Sequence, residues 1–205
     1  MEDFWNNRYK EKDFAYGKNP NVYFKNTIDK LSLEGTLLLP AEGEGRNAVY
    51  AAKKGLNVVA FDISEEGKNK AMELANSEHV DIDYEVGELK QLYLKKNSFD
   101  ALALIYAHFP ANEKEKLHKD LAELIKPNGY LILEGFSFNN LELREKNPKV
   151  GGPANREMLY SKQEITDTFT DFEIIELEEA LIELNEGSFH NGLASVIRFT
   201  GKKKA

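Results

Sequence analysis

Three carboxylates and two glycines set the chemistry of this chain. Leu37-Leu-Leu-Pro-Ala-Glu-Gly-Glu-Gly-Arg-Asn-Ala48 is an apolar run that enters an acidic, glycine-broken turn and leaves as an alanine-rich segment. A second apolar run, Leu56-Asn-Val-Val-Ala-Phe61, ends at Asp62, seventeen residues beyond Gly45. Strand, glycine turn, helix, strand and terminal carboxylate form the half-site that holds a nucleotide-type cofactor. Gly43 and Gly45 let the backbone turn tightly against a ligand where a Cβ would intrude. Asp62 presents a carboxylate able to accept both hydroxyls of a ribose. The acidity of the turn is more selective than its glycines: Glu42 and Glu44 flank Gly43, and a pyrophosphate placed there meets like charge. S-adenosylmethionine has no phosphate and carries a sulfonium and an ammonium, so the turn favours it over a dinucleotide. Glu42 is the candidate partner of its methionine end, with Asn47 and Ile63 as neighbouring cofactor contacts, and Glu44 also reads as a solvent-facing acid. Gly87-Glu88-Leu89 offers a turn, an acceptor for the adenine amine and an apolar surface for the ring. Glu88 reads equally as a surface acid.

A sheet must hold these groups at one edge. The predicted strands run from Thr36 to Pro40, Leu56 to Phe61, Val80 to Val86, Phe99 to Ile105 and Tyr130 to Leu133. Ala101-Leu-Ala-Leu-Ile105 is apolar throughout, as in a strand covered on both faces. Helices are predicted from Val22 to Leu31, with Val22, Tyr23, Ile28 and Leu31 buried, and from Arg46 to Lys54, closed by Gly55. Another starts at the Ser64 cap. A further helix is expected from a capping box of Asn112 and Glu115 to the stop at Pro127-Asn-Gly129, with Leu117, Leu121, Leu124 and Ile125 on one stripe. Ser161 and Glu164 form a second box. Phe172 to Leu184 and Leu193 to Thr200 read as an antiparallel pair across Asn185-Glu-Gly187. Five βα-type strands followed by a hairpin use nearly the whole chain, which disfavours the two parallel halves of an NAD-dependent oxidoreductase.

The chain has 205 residues, no cysteine and a formal net charge of -8. One domain over residues 1–205 is expected, with residues 1–31 as an aromatic-rich cover and residues 136–159 as a substrate-side loop of unusual length. Disulfides and thiolate chemistry are excluded. The negative charge disfavours a nucleic-acid partner, and the Gly201-Lys-Lys-Lys-Ala205 tail reads as a solvated end. No apolar stretch approaches the roughly 18 residues of a membrane span. No secretory leader is visible, so a cytoplasmic location, a small-molecule substrate and a monomer or homodimer are expected.

The chain resembles the class I S-adenosylmethionine-dependent methyltransferases, in particular the small tellurite-resistance and thiopurine-methyltransferase-like group. The resemblance rests on Phe4-Trp-Asn-Asn-Arg-Tyr9, Tyr16-Gly-Lys-Asn-Pro20, Glu42-Gly-Glu-Gly-Arg-Asn-Ala48, Val59-Ala-Phe-Asp62 with Ser64, Gly87-Glu-Leu89, Phe99-Asp100 and Leu124-Ile-Lys-Pro-Asn-Gly-Tyr-Leu-Ile-Leu-Glu134. It implies a Rossmann-like three-layer α/β/α sandwich whose seven-stranded, mostly parallel sheet ends in an antiparallel C-terminal hairpin. It also implies Gly43 and Gly45 around the methionine and ribose, Asp62 on ribose, and Glu88 with Leu89 at adenine. Two positions depart from the family: Leu39 stands where an acid is usual, and Ala41 where the first glycine is usual. Glu42 is the candidate replacement for the acid, and Ala41 fits the turn if its φ is negative. The sequence Ile105-Tyr-Ala-His-Phe-Pro110 lacks the signature of DNA amino-group methylases.

Methyl transfer is an in-line displacement that needs proximity, alignment and exclusion of water. His108 and Tyr106, just after the fourth strand, are the candidate catalytic residues. His108 is expected to deprotonate or orient a thiol or hydroxyl, or else to steady its loop by hydrogen bonds; Tyr106 also reads as a wall of the cofactor pocket. His79, His118 and His190 are expected elsewhere. Tyr16, Gly151-Gly-Pro153 and Arg156 are candidates for the substrate cover. His108, Asp100 and Glu134 show no metal-ligand spacing, and no metal is expected. The function these residues suggest is methyl transfer to a small sulfur, oxygen or metalloid acceptor, with a non-catalytic cofactor-binding protein as the alternative.

Overall fold

The computed structural model describes residues 1–205. Its centre is a seven-stranded sheet in the order β3-β2-β1-β4-β5-β7-β6, with β1 Thr36–Pro40, β2 Asn57–Asp62, β3 Asp83–Val86, β4 Phe99–Ile105, β5 Ile125–Phe136, β6 Phe172–Glu186 and β7 His190–Lys203. The first five strands are parallel, and β7 runs antiparallel to both β5 and β6. The helices are α1 Glu2–Tyr9, α2 Val22–Leu31, α3 Arg46–Lys53, α4 Glu65–Ser77, α5 Ala111–Leu124, α6 Asn140–Lys146 and α7 Lys162–Thr168. None is long and apolar enough to cross a membrane.

The period-two alternation of strand side chains divides the core. Leu37, Leu39, Ala101 and Ala103 point to one face, where they meet Phe24 and Ile28 of α2, Ala48 and Val49 of α3, and Ala71 and Leu74 of α4. Leu38, Leu102 and Leu104 point to the other face, against Leu121 of α5, Ile165 of α7 and Phe199 of β7. The central strands are therefore apolar on both sides and fix their register by burial.

Several local expectations change. α1 is a helix that its charge-rich sequence did not announce. In α2 Val22 is exposed, while Phe24 is fully buried. The Asn112–Glu115 capping box does not form, because Pro110 is the N-cap and Asn112 lies inside the first turn of α5. α5 ends at Leu124, and β5 continues from Ile125 through Pro127-Asn-Gly129 to Phe136, longer than its apolar run. β3 shrinks to Asp83–Val86. The Ser64 and Ser161 caps form as expected, accepting from Gly67 N at 3.1 Å and Glu164 N at 3.2 Å.

Two features position the site. β7 pairs with β5 only as far as Val196 opposite Phe136, so the remaining hairpin, to Glu186 opposite His190, projects past the carboxyl end of β5. Gly45, at φ 82°, starts α3 where α4 crosses it; a Cβ there would lie 2.5 Å from Ala71 Cβ and 2.8 Å from Ala71 Cα. Gly45→Ala therefore forces both left-handed strain and a backbone clash. It should destabilise the protein by at least about 2 kcal/mol, measured as the shift in urea unfolding.

Candidate functional site

After Pro40 the backbone is left-handed at Ala41 (φ 53°), Gly43 (φ 62°) and Gly45 (φ 82°). The condition of a negative φ at Ala41 is thus not met: the alanine takes a left-handed conformation that a glycine adopts more readily. The turn folds Glu42 back over the start of α3. Glu42 Oε1 accepts from Asn47 N and Ala48 N, both at 2.8 Å, and Oε2 accepts from Asn47 Nδ2 at 3.3 Å. Gly45, the N-cap, has no side chain to cap the helix, so Glu42 takes that role from three residues upstream. Asp62 at the end of β2 holds the turn from the other side. Its Oδ2 accepts from Gly43 N at 3.0 Å and its Oδ1 from Ser64 N at 2.9 Å. Burial pushes Glu42 up to about 7 and Asp62 up to about 6, against the N–H groups that favour their charged forms. Glu44 is buried, not solvent-facing: it accepts from Ala15 N and Lys70 Nζ, both at 2.8 Å, and so fastens the N-terminal segment to the turn.

The turn opens on a cleft of about 1380 Å³ at the carboxyl ends of the parallel strands. Glu42, Asn47, Asp62, Ile63, Glu88 and Leu89, the predicted cofactor contacts, all line it. Gly43 and Gly45 do not line it. A Cβ on Gly43 would meet Tyr9 Oη at 2.6 Å, and one on Gly45 would meet α4, so both glycines admit protein neighbours. Glu88 stands at the mouth, largely exposed and 2.6 Å from Lys90. α1 roofs this half: Asn6 Oδ1 accepts from Ser64 Oγ at 2.7 Å, and Trp5 stacks on Tyr9 with ring centres 5.4 Å apart.

The other half of the cleft lies under the hairpin tip. Tyr106 lines it with a left-handed φ of 53°, and its hydroxyl donates to Glu134 Oε1 at 3.0 Å. Glu134 is buried and also accepts from Asn21 Nδ2 at 2.6 Å and Arg198 Nε at 2.7 Å. Burial, with the neighbouring Glu134 charge, holds the Tyr106 hydroxyl protonated far above the usual range. His108 Nδ1 sits 2.9 Å from Met158 O, and its Nε2 is 3.2 Å from Phe136 N. The one assignment that satisfies both contacts has Nδ1–H donating and Nε2 accepting. Neither nitrogen is then left to take a proton, and burial lowers the ring to about 4. In this geometry His108 braces its loop against the segment around Met158.

His190, expected elsewhere, enters the cleft instead. It pairs Nδ1 with Glu186 Oε2 at 3.2 Å. The signal in the sequence was Glu186-Gly-Ser-Phe-His190, a carboxylate and an imidazole facing across a hairpin turn. Tyr16 and Gly151-Gly-Pro153 also line the cleft, whereas Arg156 lies outside it with its guanidinium 4.6 Å from the Phe138 ring centre. Asp100 bonds Thr36 N and Lys126 Nζ, remote from Glu134. No three His, Asp or Glu side chains converge as a metal-holding group.

The sheet order and its antiparallel last strand give this chain the class I S-adenosylmethionine-dependent methyltransferase fold. The methyltransferase domain family matches residues 38–133, the segment from β1 through β5 that carries the turn, Asp62 and Glu88. Over 97 residues, 47% of this chain and 39% of the relative, it is 31% identical to a demethylmenaquinone methyltransferase of Renibacterium salmoninarum; the chain thus matches well under half of that relative's length. Among solved structures, magnesium protoporphyrin IX methyltransferase from Synechocystis PCC 6803 with bound SAH superposes with a TM-score of 0.70 at 19% identity, covering 99% of this chain and 98% of that one. TehB from Haemophilus influenzae gives a TM-score of 0.70 at 17% identity, covering 99% of this chain and 67% of that one. A structure from work on the conversion of a disulfide bond into a thioacetal group during echinomycin biosynthesis gives 0.78 at 16% identity, covering 100% and 92%.

Two outcomes follow from the turn. Ala41→Gly relieves left-handed strain and should raise stability by roughly 0.5–1 kcal/mol in urea unfolding, the net of the relief and the extra freedom of the unfolded chain. Glu42 and Asp62 have folded pKa values of about 7 and about 6, above their unfolded values. Their stabilising contribution is complete below about pH 4 and is lost as pH rises through about 6 to 7. Glu42→Gln, whose amide oxygen can still accept from the helix, should flatten the upper part of that pH dependence.

Proposed function

We propose that this protein is an S-adenosylmethionine-dependent methyltransferase acting on a small-molecule acceptor. The observation that carries the reading is the Glu42 cap. Dinucleotide sites use the free amides at the start of this helix to bind pyrophosphate. Here the amides of Asn47 and Ala48 are engaged by a carboxylate of the chain itself. A phosphate finds these donors already taken, whereas a phosphate-free cofactor does not need them.

The residues fit that cofactor. Asp62 uses one lone pair of each oxygen on backbone amides and keeps others for ribose hydroxyls. Glu42 Oε2, with only the 3.3 Å contact from Asn47 Nδ2, and Asn47 face the methionine end. Ile63 and Leu89 offer apolar surface to adenine, with Glu88 at the rim. When bound, the cofactor supplies an electrophilic methyl group on sulfonium. Tyr106 and Phe136, with ring centres 4.7 Å apart, wall the space beyond and exclude water from it, and the roof of α1 closes it from above. The similar proteins support a small acceptor: their names specify demethylmenaquinone, a magnesium porphyrin and a disulfide-bearing compound. Within that class the reading keeps a sulfur, oxygen or metalloid centre, since Ile105-Tyr-Ala-His-Phe-Pro110 lacks the signature of DNA amino-group methylases.

Titration calorimetry tests the reading. S-adenosylmethionine and S-adenosylhomocysteine should bind with micromolar Kd, NAD at least about 100-fold more weakly, and Asp62→Ala should weaken the first two at least about 10-fold, or 1.4 kcal/mol. Tighter binding of NAD, or no binding of either sulfur compound, would overturn it.

A further inference from the structure

The projecting tip of the β6–β7 hairpin places a carboxylate–imidazole pair in the acceptor half of the cleft. Glu186 and His190 are register partners at the turn. Glu186 Oε2 is 3.2 Å from His190 Nδ1 and 2.9 Å from Arg46 Nη2, and Oε1 accepts from Asn21 Nδ2 at 3.4 Å. The imidazole is held between the rings of Tyr16 and Tyr106, each 4.4 Å away between centres, with Phe136 at 5.2 Å. Gly151 lies against its edge: a Cβ there would come within 2.8 Å of His190 Cδ2. The ring is therefore fixed in orientation. Its Nδ1 faces a carboxylate, which makes that nitrogen the N–H, and its Nε2 has no hydrogen-bond partner in the protein while the residue lines the cleft. Of the two imidazoles lining this half, His108 has both nitrogens engaged by backbone, and His190 has one lone pair free.

We propose that His190 is the general base of the reaction, oriented by Glu186, and that the acceptors are therefore protic nucleophiles, thiols or hydroxyls. This rests on the methyltransferase reading above. In the step, the acceptor X–H gives its proton to His190 Nε2 as the X lone pair forms the bond to the methyl carbon. The carbon–sulfur bond breaks, and its electron pair stays on sulfur, which becomes a neutral thioether. Glu186 stabilises the resulting imidazolium, which returns the proton to solvent after product leaves.

The charges around the ring agree with a neutral resting imidazole. Burial lowers His190, Glu186 opposes that shift, and Arg46 and Arg8 add to it. Burial alone would raise Glu186, but the bond to His190 and the Arg46 charge bring it to about 2. Tyr16, Tyr106 and His108 complete the set of titratable neighbours and stay neutral at physiological pH. The rate should rise with pH through the depressed ionisation of His190 and be level at neutrality.

The test compares wild type with His190→Gln, each loaded with S-adenosylmethionine, on 2-mercaptoethanol, phenol and 4-nitrothiophenol. The first two are protonated at neutral pH and the third is already a thiolate. His190→Gln should lower kcat for the first two at least about 100-fold, abolish the acid limb of the pH profile, and change transfer to the thiolate less than about 5-fold. Equal losses for all three acceptors would overturn the proposal. Nitrogen-15 NMR of the cofactor-free protein gives a readout independent of turnover. His190 should be the neutral Nδ1–H tautomer, and Glu186→Gln, a change at a positioning residue, should shift that population; an Nε2–H tautomer in wild type overturns the proposal even if none of the three acceptors is methylated. Calorimetry on the same samples separates the two readings, since absent cofactor binding defeats the methyltransferase reading, whereas intact binding with an Nε2–H tautomer defeats only the base.

Discussion

The bond from Glu42 to the first amides of α3 is the constraint from which the site follows. A helix that begins at a glycine has no cap of its own, and a buried start would leave its amides unsatisfied. Glu42 supplies the missing acceptor, but only if the chain reverses within three residues of β1. That reversal requires left-handed backbone at Ala41, Gly43 and Gly45. It also brings Gly43 N against Asp62 Oδ2 and Gly43 O against the Tyr84 hydroxyl, at 3.0 and 2.6 Å. The ends of β1, β2 and β3 are thereby locked to one another through a single residue of the turn. The same carboxyl group that completes the helix also occupies the amides that an anion would otherwise find there.

The sheet was legible because its signal is burial. Thr36–Pro40 and Phe99–Ile105 were read to the residue, since strands covered on both faces are apolar throughout and bounded by turn chemistry. The errors fall where a neighbour overrides local preference. α1 is held as a helix by packing across the cleft and by the Asn6 bond to Ser64, neither of which is visible in a charge-rich segment. β5 begins early because Ile125 pairs with Phe99, and Pro127-Asn-Gly129 is taken up as an unpaired irregularity before the ladder resumes at Ala101 opposite Tyr130.

At the site, the residue types that carry a cofactor pattern were readable and their engagement was not. Glu42, Asn47, Asp62, Ile63, Glu88 and Leu89 all line the same cleft. That Gly43 and Gly45 make room for Tyr9 and Ala71 depends on contacts between distant elements. His108 occupied the favoured position after β4, yet its loop folds so that backbone takes both nitrogens. His190 was overlooked because its place follows from how far the hairpin outruns β5, a length that strand patterning alone leaves undefined.

The N-terminal segment between α1 and α2 touches both halves of the cleft. Ala15 N bonds Glu44 at the turn, and Ala15 O accepts from Ser188 N at the hairpin tip, at 2.8 and 3.0 Å. A few residues on, Asn21 bonds Glu134 and Glu186 through its side chain, and its backbone N donates to Asn47. A strap anchored on both banks cannot be lifted from one of them alone. Disturbing it loosens the turn and the hairpin tip together, so the two walls of the cleft are tied into one mechanical unit by a single stretch of chain.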